Sequence, residues 1–217
     1  MIKHSQKILI ILFFILANNL FAQRIGKIVP EEEKIKFPSH QIGFNLIFTE
    51  SGFGTGFFYE KNIFPLTRGF INITISELKS DREFERYDYW GRPYIVGKVN
   101  RVLSLPAIMG ISRRLFADVL TENFRPYVTV GAGPDLIITT PYNDDFFHSF
   151  KFAKAHTSVA SFLGIGTNIG ISRSKLLGIE MRYEYIHIFN GGVETLRNVY
   201  KKDFGSFVLL LKIGSLF

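Results

Sequence analysis

The sequence predicts an all-β protein: an eight-stranded antiparallel transmembrane β-barrel of the outer-membrane type, following a cleaved signal peptide. Three observations carry that expectation. Hydrophobic residues alternate with small or polar ones through eight successive segments, which is the period of a strand and not of a helix. A short apolar run behind basic residues opens the chain, and no later stretch is long and apolar enough for a spanning helix. The connections between segments tend to alternate between short and long, as in a barrel with turns at one rim and loops at the other.

Lys3, His4 and Lys7 precede the apolar run from Ile8 to Ala17, and Asn18 and Asn19 lead to Leu20, Phe21 and Ala22. Basic, apolar and polar zones in that order mark residues 1–22 as a secretory signal peptide for the Sec pathway, cut after Ala22. The run is too short to span a bilayer, which takes roughly 20 residues. Residues 23–39 are expected to form an N-terminal periplasmic segment and residues 40–217 the barrel. A composition with 47% hydrophobic and 15% aromatic residues excludes disorder and coiled coil. The absence of cysteine excludes a disulfide framework, a Cys-ligated metal or iron–sulfur site, a thiol nucleophile and a lipid anchor on Cys. The formal net charge of +7 falls to +5 once Lys3 and Lys7 leave with the signal peptide, which mildly favours anionic surfaces, but the basic residues are dispersed and indicate no nucleic-acid partner.

The strands follow in order. Ile42, Phe44, Leu46 and Phe48 oppose Gln41, Gly43 and Asn45; Phe53, Phe57 and Tyr59 oppose Gly54, Gly56, Phe58 and Glu60; Ile71, Ile73 and Ile75 oppose Phe70, Asn72 and Thr74. Leu103, Leu105, Met109 and Ile111 oppose Ser104, Pro106, Ile108 and Gly110, and Val128, Val130 and Ala132 oppose Tyr127, Thr129, Gly131, Gly133 and Asp135. Ser161, Leu163, Ile165 and Ile169 oppose Phe162, Gly164, Gly166 and Asn168; Leu177, Ile179, Met181, Tyr183 and Tyr185 oppose Gly178, Glu180, Arg182 and Glu184; Phe207, Leu209, Leu211 and Ile213 oppose Ser206, Val208, Leu210 and Lys212. In a soluble sandwich the polar face meets water, where glycine is poorly placed. Here the small face is rich in glycine, which suits the cramped interior of a narrow barrel whose apolar face meets lipid. The links after the second and sixth strands are short, and those at residues 77–100, 139–156 and 190–203 are long. The first external loop, residues 50–51, is shorter than this scheme expects, and the turn at residues 114–125 is longer.

The stretch Val102 to Ile138 resembles the small outer-membrane β-barrel family of Bacteroidetes-type bacteria. The residues that carry the resemblance are Leu105-Pro106, Arg125-Pro126-Tyr127-Val128 and Gly131-Ala132-Gly133-Pro134. Phe217, behind alternating Ile213, Leu211 and Leu209, resembles the signal read by the barrel-assembly machinery. The resemblance implies an eight-stranded barrel in the outer membrane of a Gram-negative bacterium; it implies no activity.

Within such a barrel, Glu180, Arg182 and Glu184 point into the lumen. A hairpin register that pairs Ser172 with Leu176 places Asn168 opposite Glu180, with Lys212 near the same level. Charged side chains that compensate one another in a narrow lumen read as a structural filling rather than an ion path. Tyr87, Tyr89, Trp90 and Tyr94 sit among charged residues in a long external loop, a composition suited to recognition or to the aromatic girdle. Lys201, Lys202 and Arg197 suit lipopolysaccharide phosphates. Asp144, Asp145, His148 and His156 match no metal-site spacing, and Gly131-Ala132-Gly133 lacks the helix and Lys-Ser/Thr of a phosphate loop, so neither a metal nor a cofactor is expected.

His187 to Gly192 resembles the His-x-Ser-Asn motif of outer-membrane lipid A deacylases, with Phe189 in the place of the nucleophile. The same hairpin register sets Ser161 opposite His187 on the lipid-facing side, while the nearest acid, Glu194, lies in a loop. A non-enzymatic, monomeric barrel with a structural, adhesive or surface-interaction role is therefore expected, its partners being outer-membrane lipids, lipopolysaccharide and the assembly machinery. The alternatives are a lipid A-modifying hydrolase and a passive conduit for small hydrophobic molecules.

Overall fold

A computed structural model describes residues 39–80, 82–120, 124–170, 174–189 and 191–217. The expected signal peptide, and all but the last residue of the expected periplasmic segment, lie outside the described residues. In chain order the elements are β1 (His40–Thr49), β2 (Gly52–Phe64), β3 (Thr67–Leu78), the short hairpin β4 (Glu85–Tyr87) and β5 (Pro93–Ile95), β6 (Asn100–Arg114), β7 (Phe124–Pro141), a single helical turn α1 (Phe146–Ser149), β8 (Lys154–Gly170), β9 (Lys175–Ile188), a second short hairpin β10 (Val193–Leu196) and β11 (Val199–Lys201), and β12 (Asp203–Leu216). β1, β2, β3, β6, β7, β8, β9 and β12 form a closed antiparallel barrel. β1 seals against β12 from Gln41 opposite Leu216 to Thr49 opposite Val208. Closure removes the free strand edges that hydrocarbon does not tolerate.

The alternation in sequence becomes a division between inside and outside. Phe44 and Phe57, cross-strand partners whose rings lie 4.4 Å apart, are 55% and 58% exposed. Their chain neighbours Asn45 and Phe58 point inward and are 0% and 2% exposed. Ile71, Ile73, Met109, Ile111, Leu163 and Ile165 continue the exposed apolar exterior around the wall, far more apolar surface than a soluble monomer leaves open. The barrel strands run from 10 residues in β1 to 18 in β7, at or above the roughly 9–11 that a tilted strand needs to cross a bilayer.

Pro106 sits in the middle of β6 and has no N–H to give. The ladder to β3 jumps there from Ile73–Ala107 to Ser76–Ser104. Asp135 lies opposite Pro106 on β7, and its buried carboxylate accepts from Ser104 Oγ at 2.9 Å, from Ser158 Oγ at 2.7 Å and from the backbone at Leu105 and Leu136. The carboxylate thus ties three strands together at the point where the proline interrupts the sheet.

The lumen is layered along its axis. Leu176, Leu216 and Phe58 pack at the end that carries the β2–β3 and β8–β9 turns. Charged and polar side chains occupy the middle. Leu78, Val102, Ile137, Ile186, Ile188 and Phe204 close the loop end, together with Val193 from β10.

The β8–β9 register differs from the expected one by two residues. Asn168 lies opposite Gly178, Gly166 opposite Glu180, Gly164 opposite Arg182 and Ser161 opposite Tyr185. Glu180 and Arg182 of β9 thereby each face a glycine of β8, Glu184 faces Phe162, and Asn168 faces a glycine of β9. The expected register would set Asn168 against Glu180 and leave two glycines, Gly170 and Gly178, facing one another. A Cβ at Gly166 would come within 2.6 Å of Tyr127 Oη, so the strand is thinned where that ring crosses the lumen.

Candidate functional site

Three inward positions on three strands converge at mid-lumen. Lys212 Nζ of β12 lies 2.9 Å from Glu60 Oε1 of β2 and 2.8 Å from Glu180 Oε2 of β9. Tyr127 of β7 donates its hydroxyl to Glu180 Oε2 at 2.8 Å. Arg68 Nη1 approaches Glu60 Oε2 at 3.9 Å, and Gln41 presents its amide oxygen to Arg68 Nη1 and Nη2 at 2.7 and 3.0 Å. One level further toward the loops, Arg182 Nη2 meets Glu184 Oε2 at 3.0 Å and its guanidinium covers the Phe162 ring at 4.4 Å. Phe162 in turn stacks on Phe70, 5.8 Å between centroids.

Of the residues expected in this network, the structure joins Glu180 to Lys212 and Arg182 to Glu184. Asn168 is also buried in the lumen, but opposite Arg125 on β7 and Gly178 on β9 rather than Glu180. Glu60, Arg68, Tyr127 and Gln41 are the partners that the sequence argument did not name. Alternation places Glu60 and Tyr127 inside; which strands face them across the lumen follows only from closure. In this layer Lys212, Arg68 and Arg182 offset Glu60, Glu180 and Glu184, which suits a structural filling of the lumen.

The loop end is built by the two short hairpins. β10 and β11 fold back over the mouth, with Val193 1% and Thr195 0% exposed. Val99 N donates to Thr195 O at 3.0 Å, Arg197 N to Gly97 O at 2.9 Å and Asn100 Nδ2 to Glu194 O at 2.8 Å. These bonds lock the loop after β9 to the loop after β3. Lys98, whose side chain is 3% exposed, reaches Glu83 Oε2 at 2.9 Å and Glu77 Oε1 at 3.5 Å.

From this cap the β4–β5 hairpin projects outward. Asp88 Oδ1 accepts from Trp90 N at 2.9 Å and Arg92 N at 2.8 Å, and Gly91 turns with φ of 74°. The tip is therefore fixed by an aspartate turn. It carries Tyr87, Tyr89 and Trp90 at 68%, 95% and 77% exposure, with Tyr94 behind them. In the loop after β7, Asp144 and Asp145 precede α1, His148 lies within it near the Phe152 ring, and His156 on β8 approaches Thr139 Oγ1 at 3.5 Å.

On the exterior near the loop end, His187 Nδ1 lies 2.6 Å from Asp203 Oδ1, and Tyr185 donates its hydroxyl to the same oxygen at 2.7 Å. This corrects the expectation that no acid orients the imidazole: Asp203 is the direct partner of His187 across the β9–β12 ladder. It also corrects the placement of Ser161. Val159 is opposite His187, and Ser161 is opposite Tyr185. The site joins a histidine and an acid, and on β8 Val159 rather than a hydroxyl lies directly opposite the histidine. Phe189 stacks edge-on against His187 at 5.4 Å. Phe217 is exposed at the opposite end and stacks on His40 at 5.6 Å.

No protein-family model matches the chain, and no curated protein does. Among solved structures, the chain is similar to Neisserial surface protein A, with 12% identity, a TM-score of 0.48, and coverage of 83% of this chain and 96% of that one. It is also similar to the N-terminal β-barrel domain of OprF from Pseudomonas aeruginosa, at 14% identity and a TM-score of 0.44, covering 83% and 98%. Ail, the attachment invasion locus protein of Yersinia pestis, follows at 12% and 0.40, covering 82% and 97%.

Proposed function

We propose that this protein is a monomeric outer-membrane barrel that serves as a surface-interaction scaffold, presenting the rigid β4–β5 hairpin to the cell exterior. The observation that carries this reading is a contrast within one molecule. The lumen carries an ion-pair layer between two apolar clusters, while Tyr87, Tyr89 and Trp90 stand exposed on a bonded turn. Aromatic side chains pre-ordered in this way bind at low entropic cost. The apolar exterior supports membrane insertion, and export through the Sec pathway would deliver the chain to the outer membrane of a Gram-negative cell, with lipopolysaccharide as its neighbour.

A passive conduit would have to pass the layer in which Lys212 holds Glu60 and Glu180. A lipid hydrolase is supported by the His187–Asp203 pair, but Ser161 is displaced from it by one cross-strand pair of the same face. The reading is tested by replacing Tyr87, Tyr89, Trp90 and Tyr94 with alanine and comparing adhesion of cells that display each form. The variant should keep the unheated-gel shift of a folded barrel and lose adhesion. Equal adhesion, or steady single-channel conductance from wild type, would overturn the proposal.

A further inference from the structure

We infer that the loop after β7 is a foot set into the outer leaflet, whose helical turn inserts Phe146, Phe147, Phe150 and Phe152 among lipid chains beside the barrel; the inference rests on the outer-membrane reading above. Four phenylalanines fall within residues 146–152. α1 continues directly into a 3-10 turn at Phe150–Phe152, so the stretch is one short helix. Side chains on a helix step round its axis by about 100° per residue. Ser149 is 0% exposed and marks the side that faces the protein, its hydroxyl donating to Phe146 O at 2.7 Å. Phe147, nearly half a turn round from it, is 87% exposed. Phe146, Phe150 and Phe152 flank it at 46%, 40% and 57%, and the Phe146 ring meets those of Phe147 and Phe150 edge-on at 5.4 and 5.2 Å.

The turn stands on the lipid side of the wall. Arg101, at an outward position of β6, donates from Nη1 to Pro141 O at 3.3 Å and Asp144 O at 3.0 Å, and its guanidinium lies 5.2 Å from the Tyr142 ring centroid. These contacts draw the loop over the rim toward the outer face of β6. Phe146 accordingly lines a recess together with Leu103 and Glu77, which are outward residues opposite one another in the β3–β6 ladder. On the same outward faces Leu105 and Met109 of β6 and Ile73 and Ile75 of β3 are exposed. The phenylalanines thus continue the apolar exterior at its loop end, the height at which hydrocarbon gives way to head groups.

Continuity with the wall decides what covers these rings. Lipid already lies against Leu105 and Ile75, and a protein partner or a second copy would first have to displace it. Phenylalanine brings no hydrogen-bonding group, unlike Tyr87, Tyr89 and Trp90 on the β4–β5 hairpin, whose polar handles suit a partner met in water. Lys151 and Lys154 are exposed beside the rings, and long cationic side chains at this level bury their stems while the ammonium stays among head groups. The loop after β7 therefore anchors the barrel, and surface recognition is left to the hairpin.

The experiment uses the full mature chain in dioleoylphosphatidylcholine liposomes, first shown to migrate as a folded barrel in unheated gels. Failure at that step would count against the membrane reading itself and not against this loop. Wild type carries one tryptophan, Trp90, in the exposed hairpin; it should emit at long wavelength, be quenched by acrylamide and be untouched by brominated lipid. Lipid quenching of Trp90 would sink the hairpin reading and not this one. In a Trp90→Phe background, Phe147→Trp moves the reporter to the turn. Its emission should shift to the blue and lose acrylamide quenching. Lipid brominated near the head-group end of its chains should quench it more than lipid brominated near the methyl end, as for an element seated about 5–10 Å into the interface. Phe152→Trp in the same background should respond alike, and it keeps the test decisive if Phe147→Trp fails to fold. Long-wavelength emission without lipid quenching at both positions would overturn the assignment. A blue shift that grows with the protein-to-lipid ratio, again without lipid quenching, would overturn it in favour of a second copy of the chain.

Discussion

Replacing Lys212 with methionine keeps the length of the side chain and removes the one ammonium that joins Glu60 to Glu180. Both carboxylate oxygens lie within 3 Å of Nζ, at 2.9 and 2.8 Å, so they are no more than about 6 Å from each other. Two like charges at that separation repel by roughly 3 kcal/mol at an effective dielectric of about 20. Arg68, 3.9 Å from Glu60, and the Tyr127 hydroxyl on Glu180 offset part of this. Loss of one partner of a buried pair costs about 3–5 kcal/mol in general, and Lys212→Met is expected to fall in that range. Adding Glu180→Gln should recover about half of the loss, because it removes the charge that Lys212 no longer balances. The assay is the urea midpoint of the folded band in unheated gels, supported by far-ultraviolet circular dichroism. The single tryptophan, Trp90, lies in the exposed hairpin and does not report on the lumen. An unchanged midpoint for Lys212→Met, or a double variant whose loss equals the sum of the two single losses, would refute the reasoning.

Planar-bilayer recordings should show no steady channel for wild type, nor for a variant in which residues 193–201 are replaced by a short Gly/Ser link, because the ion-pair layer below the cap is itself closed. Gly166→Ala should destabilise by about 1–3 kcal/mol in the same urea assay, since the new Cβ meets Tyr127 2.6 Å away and disturbs its bond to Glu180. Intact-mass measurement of membrane-localised protein should give a chain beginning at Gln23; a retained leader would count against export by a cleaved signal. Incubation with lipid A should leave its acyl chains intact by mass spectrometry, and loss of a chain with wild type but not with His187→Ala would revive the hydrolase reading.

The fold was legible because a strand buried on one side writes its two faces into alternate residues. Phe44 against Asn45 and Phe57 against Phe58 are enough to say which way each points. The glycines said more than the hydrophobics. Gly164 and Gly166 on the inward face mark where Arg182 and Glu180 must fit, which a water-facing sheet would not require. The loop architecture was not legible. The bonds from Val99 to Thr195 and from Arg197 to Gly97 join residues nearly a hundred positions apart in loops with no alternation to read. Lys98 illustrates the difference: in sequence it is one loop lysine among several, and in the fold it is buried against Glu83 and Glu77.

The rim residues show why a correct face is not yet a correct site. A slip of two residues between β8 and β9 leaves every side chain on its own face, so the alternation is identical in both registers. What separates them is which side chains meet across the ladder: the observed register sets glycine against Glu180 and Arg182, where the expected one would set Asn168 against Glu180. On the outside the same slip moves Ser161 from His187 to Tyr185, so the hydroxyl is no longer the direct cross-strand neighbour of the imidazole. The β9–β12 register acts in the other direction and brings Asp203 to His187 at 2.6 Å, with Tyr185 on the same oxygen. A histidine so tied has its Nδ1 committed and its ring held, features that catalysis uses; with Val159 rather than Ser161 opposite it and Phe189 beside it, the same features suit a polar anchor between the apolar wall and the loops.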